Sequence, residues 1–142
     1  MEKSVGFFIF RLGSTTEYLF LKSSKLHEWG LPKGHVEVND TGELGTAFRE
    51  TREETRLTPS DLTVIPNFRV SMTYPVKKGS KLKETIYFLA KLRNPDAPIV
   101  LSSEHSQYKW LDLSSALDHI KFKDLQDNLK KADIFIQELK QT

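Results

Sequence analysis

The chain of 142 residues contains no cysteine, and its charges nearly balance, with a formal net charge of +2. Without cysteine the fold has neither a disulfide framework nor a zinc–thiolate site, and nothing requires an oxidising compartment. The small net charge gives no argument for non-specific binding to nucleic acid. We therefore expect a cytoplasmic protein, with the nucleus as the alternative compartment, and no binding to DNA.

Long apolar runs are also absent. The apolar stretch within the opening MEKSVGFFIFRLG is short and ends at Arg11, and no later run approaches the roughly 20 residues of a membrane span. We expect neither a signal sequence nor a membrane partner. The contents of 38% hydrophobic and 28% charged residues are those of a globular protein. The length predicts one domain over residues 1–142, which we expect to act as a monomer.

Most of the remaining sequence carries strand patterns. These segments are rich in β-branched and aromatic residues and are bounded by turn signals such as GSTT and KKGSK. The patterns predict strands at residues 4–12, 17–24, 62–76, 83–92, 99–101 and 106–113. The first two form a hairpin whose continuous apolar character is typical of strands covered on both faces.

One helix is predicted in the first half of the chain, at residues 42–55, where apolar residues recur at helical spacing. Asp40 or Thr41 can cap it, and Glu43 lies three residues after Asp40, as a capping box requires. The preceding residues 26–42 read as a loop too long for a simple connector, and long ordered loops usually carry function.

The C-terminal segment, residues 114–142, is predicted to be helical because its apolar residues recur every three to four positions among lysines and acids. The resulting order is two strands, a helix, a further group of strands and a final helix. This order indicates an α/β fold in which a mixed central sheet has helices on both faces.

Three glutamates are concentrated near the end of the first predicted helix. At 100° per residue, Glu50, Glu53 and Glu54 share one face, beside the apolar stripe. Their mutual repulsion would favour a hard divalent cation such as magnesium or manganese. The alternative is a solvated helix in which Arg49 and Arg52 neutralise the acids, and spacing alone does not choose between the two.

The segment GHVEVNDTGELGTAFRETREETRL resembles the Nudix box, in which a glycine is followed at fixed distance by Arg-Glu and then Glu-Glu. LPKGHVE, KLKETIYFLAKL, LSSEHSQYKWLDL and HIKFKDL are similar, in that order, to segments of the asymmetric diadenosine tetraphosphate hydrolases. The resemblance implies a Nudix α/β/α sandwich. It also implies hydrolysis of a dinucleoside polyphosphate, diadenosine tetraphosphate, to ATP and AMP by magnesium-dependent attack of water, with manganese as the alternative metal.

The resemblance also implies roles for individual residues. Metal binding falls on Glu50, Glu53, Glu54 and Glu104, and catalysis on Glu53, Glu54, Glu104 and Arg49. Substrate binding falls on Lys33, His35, Tyr74, Lys83 and Phe122, with Trp29, His27, Lys81 and His105 as weaker candidates. From the residues alone, other interpretations stay open: an exposed loop acid for Glu104, a structural histidine for His35, and ordinary core for Tyr74 and Phe122.

The sequence departs from the family pattern in two places. The distance from Gly34 to Arg49 is one residue longer than usual, so the upstream acid of the pattern falls on Thr41, with Asp40 and Glu43 beside it. Glu43 lies two helical turns before the acids and could assist them. Arg56 stands where the family has a glycine; a positive φ there would cost a non-glycine residue roughly 1 kcal/mol.

Three alternatives to this function remain. Removal of pyrophosphate from RNA 5′ ends would need a basic track, for which KKGSKLK offers a small one. Hydrolysis of another nucleoside diphosphate derivative would use the same metal chemistry. A non-catalytic nucleotide-binding module on the same fold would be expected to lack one of the metal glutamates, whereas all three are present here.

Overall fold

The computed structural model describes residues 2–75 and 81–141. The elements in chain order are β1 (Glu2–Leu12), β2 (Thr16–Ser23), β3 (Trp29–Gly30), β4 (Lys33–His35), α1 (Gly42–Thr55), a 3-10 turn (Pro59–Asp61), β5 (Leu62–Pro75), β6 (Leu82–Leu92), β7 (His105–Leu111), α2 (Leu113–Asp118) and α3 (Lys123–Lys140). Among the described helices, none is long and apolar enough to cross a membrane.

The seven strands form one mixed sheet. The order is β3-β2-β1-β6-β5, while β4 pairs with β1 and β7 pairs with β2. β1 and β6 run parallel, and the other pairs are antiparallel. The mixed sheet is confirmed.

Strand β1 is buried on both faces because helices cover the sheet on both sides. Phe8 and Phe10 pack into a cluster that includes α3, whereas Phe7 and Ile9 pack into a second cluster that includes Ala47 of α1. Alternate side chains of a strand point to opposite faces, so an unbroken apolar run is what a doubly covered strand requires. The α/β class and the α/β/α layering are therefore confirmed.

The region between β2 and α1 differs from the predicted loop. Residues 26–42 contain the two short strands β3 and β4, which are too short for a periodic signal. α1 has the predicted bounds, with Thr41 as N-cap residue, but no side chain caps it. The capping box of Asp40 and Glu43 is not formed, because the Asp40 carboxylate accepts hydrogen bonds from Thr46 Oγ1 (2.7 Å) and the Glu37 amide (2.8 Å).

Two predictions in the second half of the chain were wrong. Residues 99–101 form no strand; the Val100 amide instead donates to the carbonyl of Thr55 at the end of α1 (3.0 Å). The C-terminal segment is two helices rather than one, and Asp112 caps the first by accepting from the Ser115 amide (2.9 Å). The predicted turn KKGSK falls mostly on residues 76–80, outside the described residues.

Candidate active site

A cleft of about 1150 Å³ opens along one side of the sheet, between the acidic side of α1, strands β3 to β6, the loop before β7 and the connection from α2 to α3. Its size exceeds the roughly 300–1,000 Å³ of ordinary small-molecule pockets. Nine of the ten predicted site residues line it: Lys33, His35, Glu50, Glu53, Glu54, Tyr74, Lys83, Glu104 and Phe122. The tenth, Arg49, lies beside it and holds the acids in place.

A glycine allows α1 to approach the sheet at the cleft. Gly34 lies in β4, opposite Val5 of β1, and directly faces the side chain of Glu50. A Cβ atom at Gly34 would collide with the Glu50 carboxyl group. The glycine of the motif is therefore required by this close approach, since its own φ is not in the left-handed region.

Arg49 holds several groups through separate nitrogens. Its Nε donates to Asp40 Oδ1 (2.7 Å) and its Nη2 donates to the carbonyl of His35 (2.7 Å). Its Nη1 donates to Glu50 (2.7 Å) and Glu53 (3.2 Å). Of the three candidates for the upstream acid, Asp40 is thus the one that pairs with Arg49. The guanidinium holds the pKa of Asp40 well below its usual range.

Glu43 does not join this group. Its carboxylate accepts two hydrogen bonds from Arg69 (2.9 Å each) and pairs with Lys3 (2.6 Å). These contacts, Arg69 first, lower the pKa of Glu43 to about 2. Glu43 faces β1 and β5 and does not line the cleft, so the expectation that it assists the other acids was wrong.

Glu54 is the most deeply buried of the three glutamates, with 6% of its surface exposed. Its Oε1 accepts a long hydrogen bond from the Lys33 amide (3.3 Å). Burial, together with the charges of Glu50 and Glu104, raises the pKa of Glu54 to about 8. Burial also raises the pKa of Glu50. The alternative of a solvated helix whose arginines neutralise the acids therefore holds in part, since Arg49 pairs with Glu50 and Glu53, but it fails for the buried Glu54.

These carboxylates fit a divalent cation by their chemistry. Hard divalent ions prefer oxygen donors, and a cation would offset the repulsion that raises the pKa of Glu54. Within residues 2–75 and 81–141, however, no three acidic or histidine side chains are gathered closely enough to hold a metal as they stand. Arg49 engages Glu50 and Glu53, so these side chains must turn before they converge on an ion.

The loop before β7 also lines the cleft. Glu104 is exposed to the cleft, and its carbonyl accepts a hydrogen bond from the Ser24 amide (2.9 Å), which ties this loop to the end of β2. His105 also lines the cleft. Burial lowers the pKa of its imidazole, and its buried Nδ1 has no hydrogen-bond partner in the part of the chain that the structure describes.

Two lysines lie near the acids. Burial and the neighbouring Lys83 lower the pKa of Lys33, whose charge the nearby Glu54 and Glu50 partly offset. Lys83 lies opposite Tyr74 in the β5–β6 ladder, which brings a cation and an aromatic ring to the same part of the cleft. Lys81 does not line the cleft.

Tyr74 and Phe122 are surface residues of the cleft and not core. Their side chains are 41% and 71% exposed, and Phe122 is the N-cap residue of α3. The Tyr74 hydroxyl lies 3.2 Å from Thr85 Oγ1. Trp29 also lines the cleft, edge-on to His119 at 5.6 Å between ring centroids, whereas His27 does not.

The cleft has further lining residues that the sequence did not single out, among them Glu37 and His119. Glu37 lines it and approaches Arg49 Nη1 at 2.9 Å, although this acid stands in the quoted segment GHVE. His119 lines the cleft with its Nδ1 held by the carbonyl of Ser115 (2.8 Å). No local pattern distinguishes His119 from a surface histidine, because its position depends on the break between α2 and α3.

Comparisons with known proteins agree with this geometry. Residues 2–132 match the NUDIX domain. The asymmetrical bis(5′-nucleosyl)-tetraphosphatase of Mus musculus is 38% identical over 142 residues, covering 94% of this chain and 95% of that protein. Its counterpart in Caenorhabditis elegans is 36% identical over 136 residues, covering 94% and 96%. The crystal structure of a C. elegans Ap4A hydrolase binary complex matches with a TM-score of 0.89 and 35% identity, covering 97% of this chain and 99% of that one. The chain therefore belongs to the Nudix hydrolase family, and it is similar over nearly its whole length to the asymmetrical bis(5′-nucleosyl)-tetraphosphatases.

Proposed function

We propose that this Nudix hydrolase cleaves diadenosine tetraphosphate asymmetrically, giving ATP and AMP. The observation that carries the proposal is the joint placement of acids, lysines and exposed aromatic rings in one cleft of about 1150 Å³. A dinucleoside polyphosphate needs these three kinds of contact at once. The names of the relatives from mouse and C. elegans support the same substrate.

The polyphosphate lies along the lysines in this proposal. Lys33 and Lys83 neutralise phosphate oxygens as point charges, and His35 at the end of β4 contributes a further polar contact. One adenine ring stacks on the exposed faces of Tyr74 and Phe122. Such stacking is worth on the order of 1–3 kcal/mol per base. The exposure of both rings supports a binding role, because neither is needed to fill the core.

Glu50, Glu53, Glu54 and Glu104 would hold magnesium, with manganese as a substitute. When bound, the metal polarises phosphoryl oxygens and lowers the pKa of water. The chain itself supplies position and a proton acceptor. Arg49 holds Glu50 and Glu53 until they turn to the ion, and Gly34 lets Glu50 lie against β4.

The reaction is the hydrolysis of one phosphoanhydride bond of the polyphosphate. A water oxygen forms a bond to one phosphorus of the chain, and the bond between that phosphorus and a bridging oxygen breaks. The bridging oxygen leaves with the departing nucleotide, and the water proton passes to a carboxylate. We assign the proton to Glu104, because it is exposed to the cleft and lies near enough to Glu50 and Glu54 for its charge to act on both.

The test is to incubate the protein with diadenosine tetraphosphate and magnesium in ¹⁸O-labelled water, separate the products by chromatography and measure their masses by mass spectrometry. Equal amounts of ATP and AMP, with label in one of them, are expected, and the labelled product identifies the phosphorus that water attacks. Symmetric cleavage to two ADP molecules would contradict the proposal.

The same assay distinguishes the alternatives. In one alternative outcome, the dinucleotide stays intact while the protein releases pyrophosphate from triphosphorylated RNA or cleaves another nucleoside diphosphate derivative. That result would keep the metal-dependent chemistry and change the proposed substrate. Nucleotide binding without turnover of any of these substrates would identify a binding module. The matched variant is Glu54→Gln, which is expected to bind nucleotide and to turn over far more slowly.

A further inference from the structure

The nitrogen Nη1 of Arg49 has more acidic partners than it has hydrogens. A guanidinium Nη carries two hydrogens. Here the hydrogen bonds from Nη1 go to Glu50 (2.7 Å) and Glu53 (3.2 Å), while Glu37 approaches the same nitrogen at 2.9 Å as an ion pair. Three carboxylates thus compete for two hydrogens, and in this structure Glu37 is the one held by the ion pair alone.

The remaining nitrogens of Arg49 are fully committed. Nε and Nη2 donate to Asp40, and Nη2 also donates to the carbonyl of His35. Asp40 and the carbonyl of His35 therefore hold the guanidinium in place, and only the partners of Nη1 can change. The Arg49 side chain is only 23% exposed, so an Nη1 hydrogen that loses its carboxylate exchanges a charge-assisted hydrogen bond for partial hydration.

Binding of a cation by α1 creates that situation. Glu50 and Glu53 must turn their oxygens from Arg49 toward the ion, since the described side chains do not yet converge. Each withdrawal leaves a hydrogen of Nη1 unpaired unless another acceptor is at hand. Glu37 is that acceptor, because it already lies within contact distance and 59% of its side chain is exposed, which leaves it room to adjust.

We propose that Glu37 is a positioning residue for the divalent metal, which takes over Arg49 Nη1 when Glu50 and Glu53 turn to the ion. The inference rests on the proposed function, since it assumes a cation at these acids. Glu37 acts through Arg49 and contacts neither substrate nor reacting atoms. Its presence lowers the cost of releasing the metal-binding carboxylates and so raises metal affinity.

The test is titration of the 142-residue chain with Mn²⁺, with free ion followed by electron paramagnetic resonance. Glu37→Gln keeps the shape of the side chain and removes the charge. Because an exposed ion pair is a modest interaction, we expect affinity to fall about three- to five-fold. Asp124→Asn is the matched control, because it removes one negative charge from the same cleft without touching Arg49. Its affinity is expected to stay close to that of the unmodified chain.

Three further readouts separate a positioning role from a structural one. The magnesium concentration for half-maximal turnover should rise by the same factor in Glu37→Gln, while kcat at saturating magnesium and the melting temperature of the metal-free protein stay unchanged. In an Arg49→Lys background, Glu37→Gln should change Mn²⁺ affinity less than it does with Arg49 present.

Unchanged Mn²⁺ affinity in Glu37→Gln, or an equal loss in Asp124→Asn, would overturn the role of Glu37 and leave the proposed function intact. Absence of Mn²⁺ binding by the unmodified chain would instead refute the metal site on which both rest.

Discussion

The acids at the two ends of helix α1 lie in opposite electrostatic environments. Near the N-terminal end, Glu43 has two cations, Arg69 and Lys3, and its pKa is lowered to about 2. Near the C-terminal end, Glu54 is buried beside other carboxylates, and its pKa is raised to about 8. One helix therefore carries a satisfied acid, Glu43, whose charge is paired with two cations, and an unsatisfied acid, Glu54, which is buried beside other carboxylates.

The difference separates a structural cluster from a candidate catalytic one. Glu43 needs nothing further, because its bidentate pair with Arg69 uses both carboxylate oxygens. Around Arg49, a single guanidinium faces Asp40, Glu37, Glu50 and Glu53. That excess of negative charge is a cost in the isolated chain, which a cation from solution would relieve. Strongly perturbed groups in a cleft are the ones to suspect of function.

The sharpest way to break the comparison is to neutralise the unsatisfied acid. Glu54→Gln should lower turnover of diadenosine tetraphosphate at least about 100-fold, because it removes a buried carboxylate from the proposed metal site. Steady-state kinetics on both proteins at saturating magnesium measure the loss. Glu43→Gln is the matched control on the same helix, and its turnover should be close to that of the unmodified enzyme. Equal activity of the two variants would remove the distinction between the ends.

The second test moves Glu50 without changing its charge. Gly34→Ala places a methyl group on the Glu50 carboxyl, so this side chain must leave the position against β4 that the glycine allows. We expect turnover to fall on the order of 10- to 100-fold, since small displacements in a catalytic site are expensive. Gly30→Ala is the control, because a Cβ there meets nothing within 4 Å although the residue lines the same cleft. Parallel assays of the two alanine variants give the comparison, and similar rates would mean that the position of Glu50 is unimportant.

The third test uses pH. Between the ordinary Glu54 pKa of 4.5 and the raised value of about 8, the folded metal-free protein keeps a proton that the unfolded chain has released. Unfolding then releases a proton, so this contribution to stability is present below pH 4.5 and is lost as the pH rises toward 8. We expect a loss of roughly 1–3 kcal/mol in the presence of a chelator. Urea unfolding at several pH values measures it. The slope should flatten in Glu54→Gln, and a decline that persists unchanged there would belong to another group.

The sequence predicted the bounds of α1 but not how its acids are held. The bounds at residues 42–55 follow from helical periodicity, which is a local property. The partner of Arg49 is not local: Asp40 lies before the helix, and it prefers the guanidinium to the capping role that its position suggested. The choice among three neighbouring candidates therefore required the structure.

Longer-range context also explains the errors in the rest of the fold. Residues 99–101 are apolar and partly β-branched, which favours a strand, but they follow Pro98. They lie at the end of α1, where the Val100 amide donates to the carbonyl of Thr55 and they pair with no strand. The Phe122 ring is exposed because the helical segment breaks between α2 and α3, whereas helical periodicity does not distinguish this residue from its neighbours. Cleft aromatics were identified by resemblance, since no property of the local sequence distinguishes them from core.

The satisfied end of α1 gives a smaller effect, on stability alone. Glu43→Gln leaves Arg69 and Lys3 without their carboxylate, and the free energy of unfolding should fall by about 1 kcal/mol or less because the pairs are partly exposed. Raised salt should shrink the difference between variant and unmodified chain. Thermal unfolding at two salt concentrations tests this. A salt-independent loss would point to packing and not to charge.

The smallest effect is expected just beyond the unsatisfied end. Arg56 follows α1 with φ 66°, in the left-handed region, and its amide donates to the carbonyl of Arg52 (2.9 Å). Glycine adopts this conformation without a steric cost but loses more chain entropy on folding, so Arg56→Gly should stabilise the protein by about 0.5 kcal/mol. Arg56→Ala is the matched control, because it removes the same exposed side chain and keeps the backbone strain. A gain in the melting temperature of the glycine variant alone would assign the effect to φ, and unchanged turnover would show that this strain serves no catalytic purpose. An equal gain in the alanine variant would assign it to the arginine side chain, and hence to charge at the end of the helix.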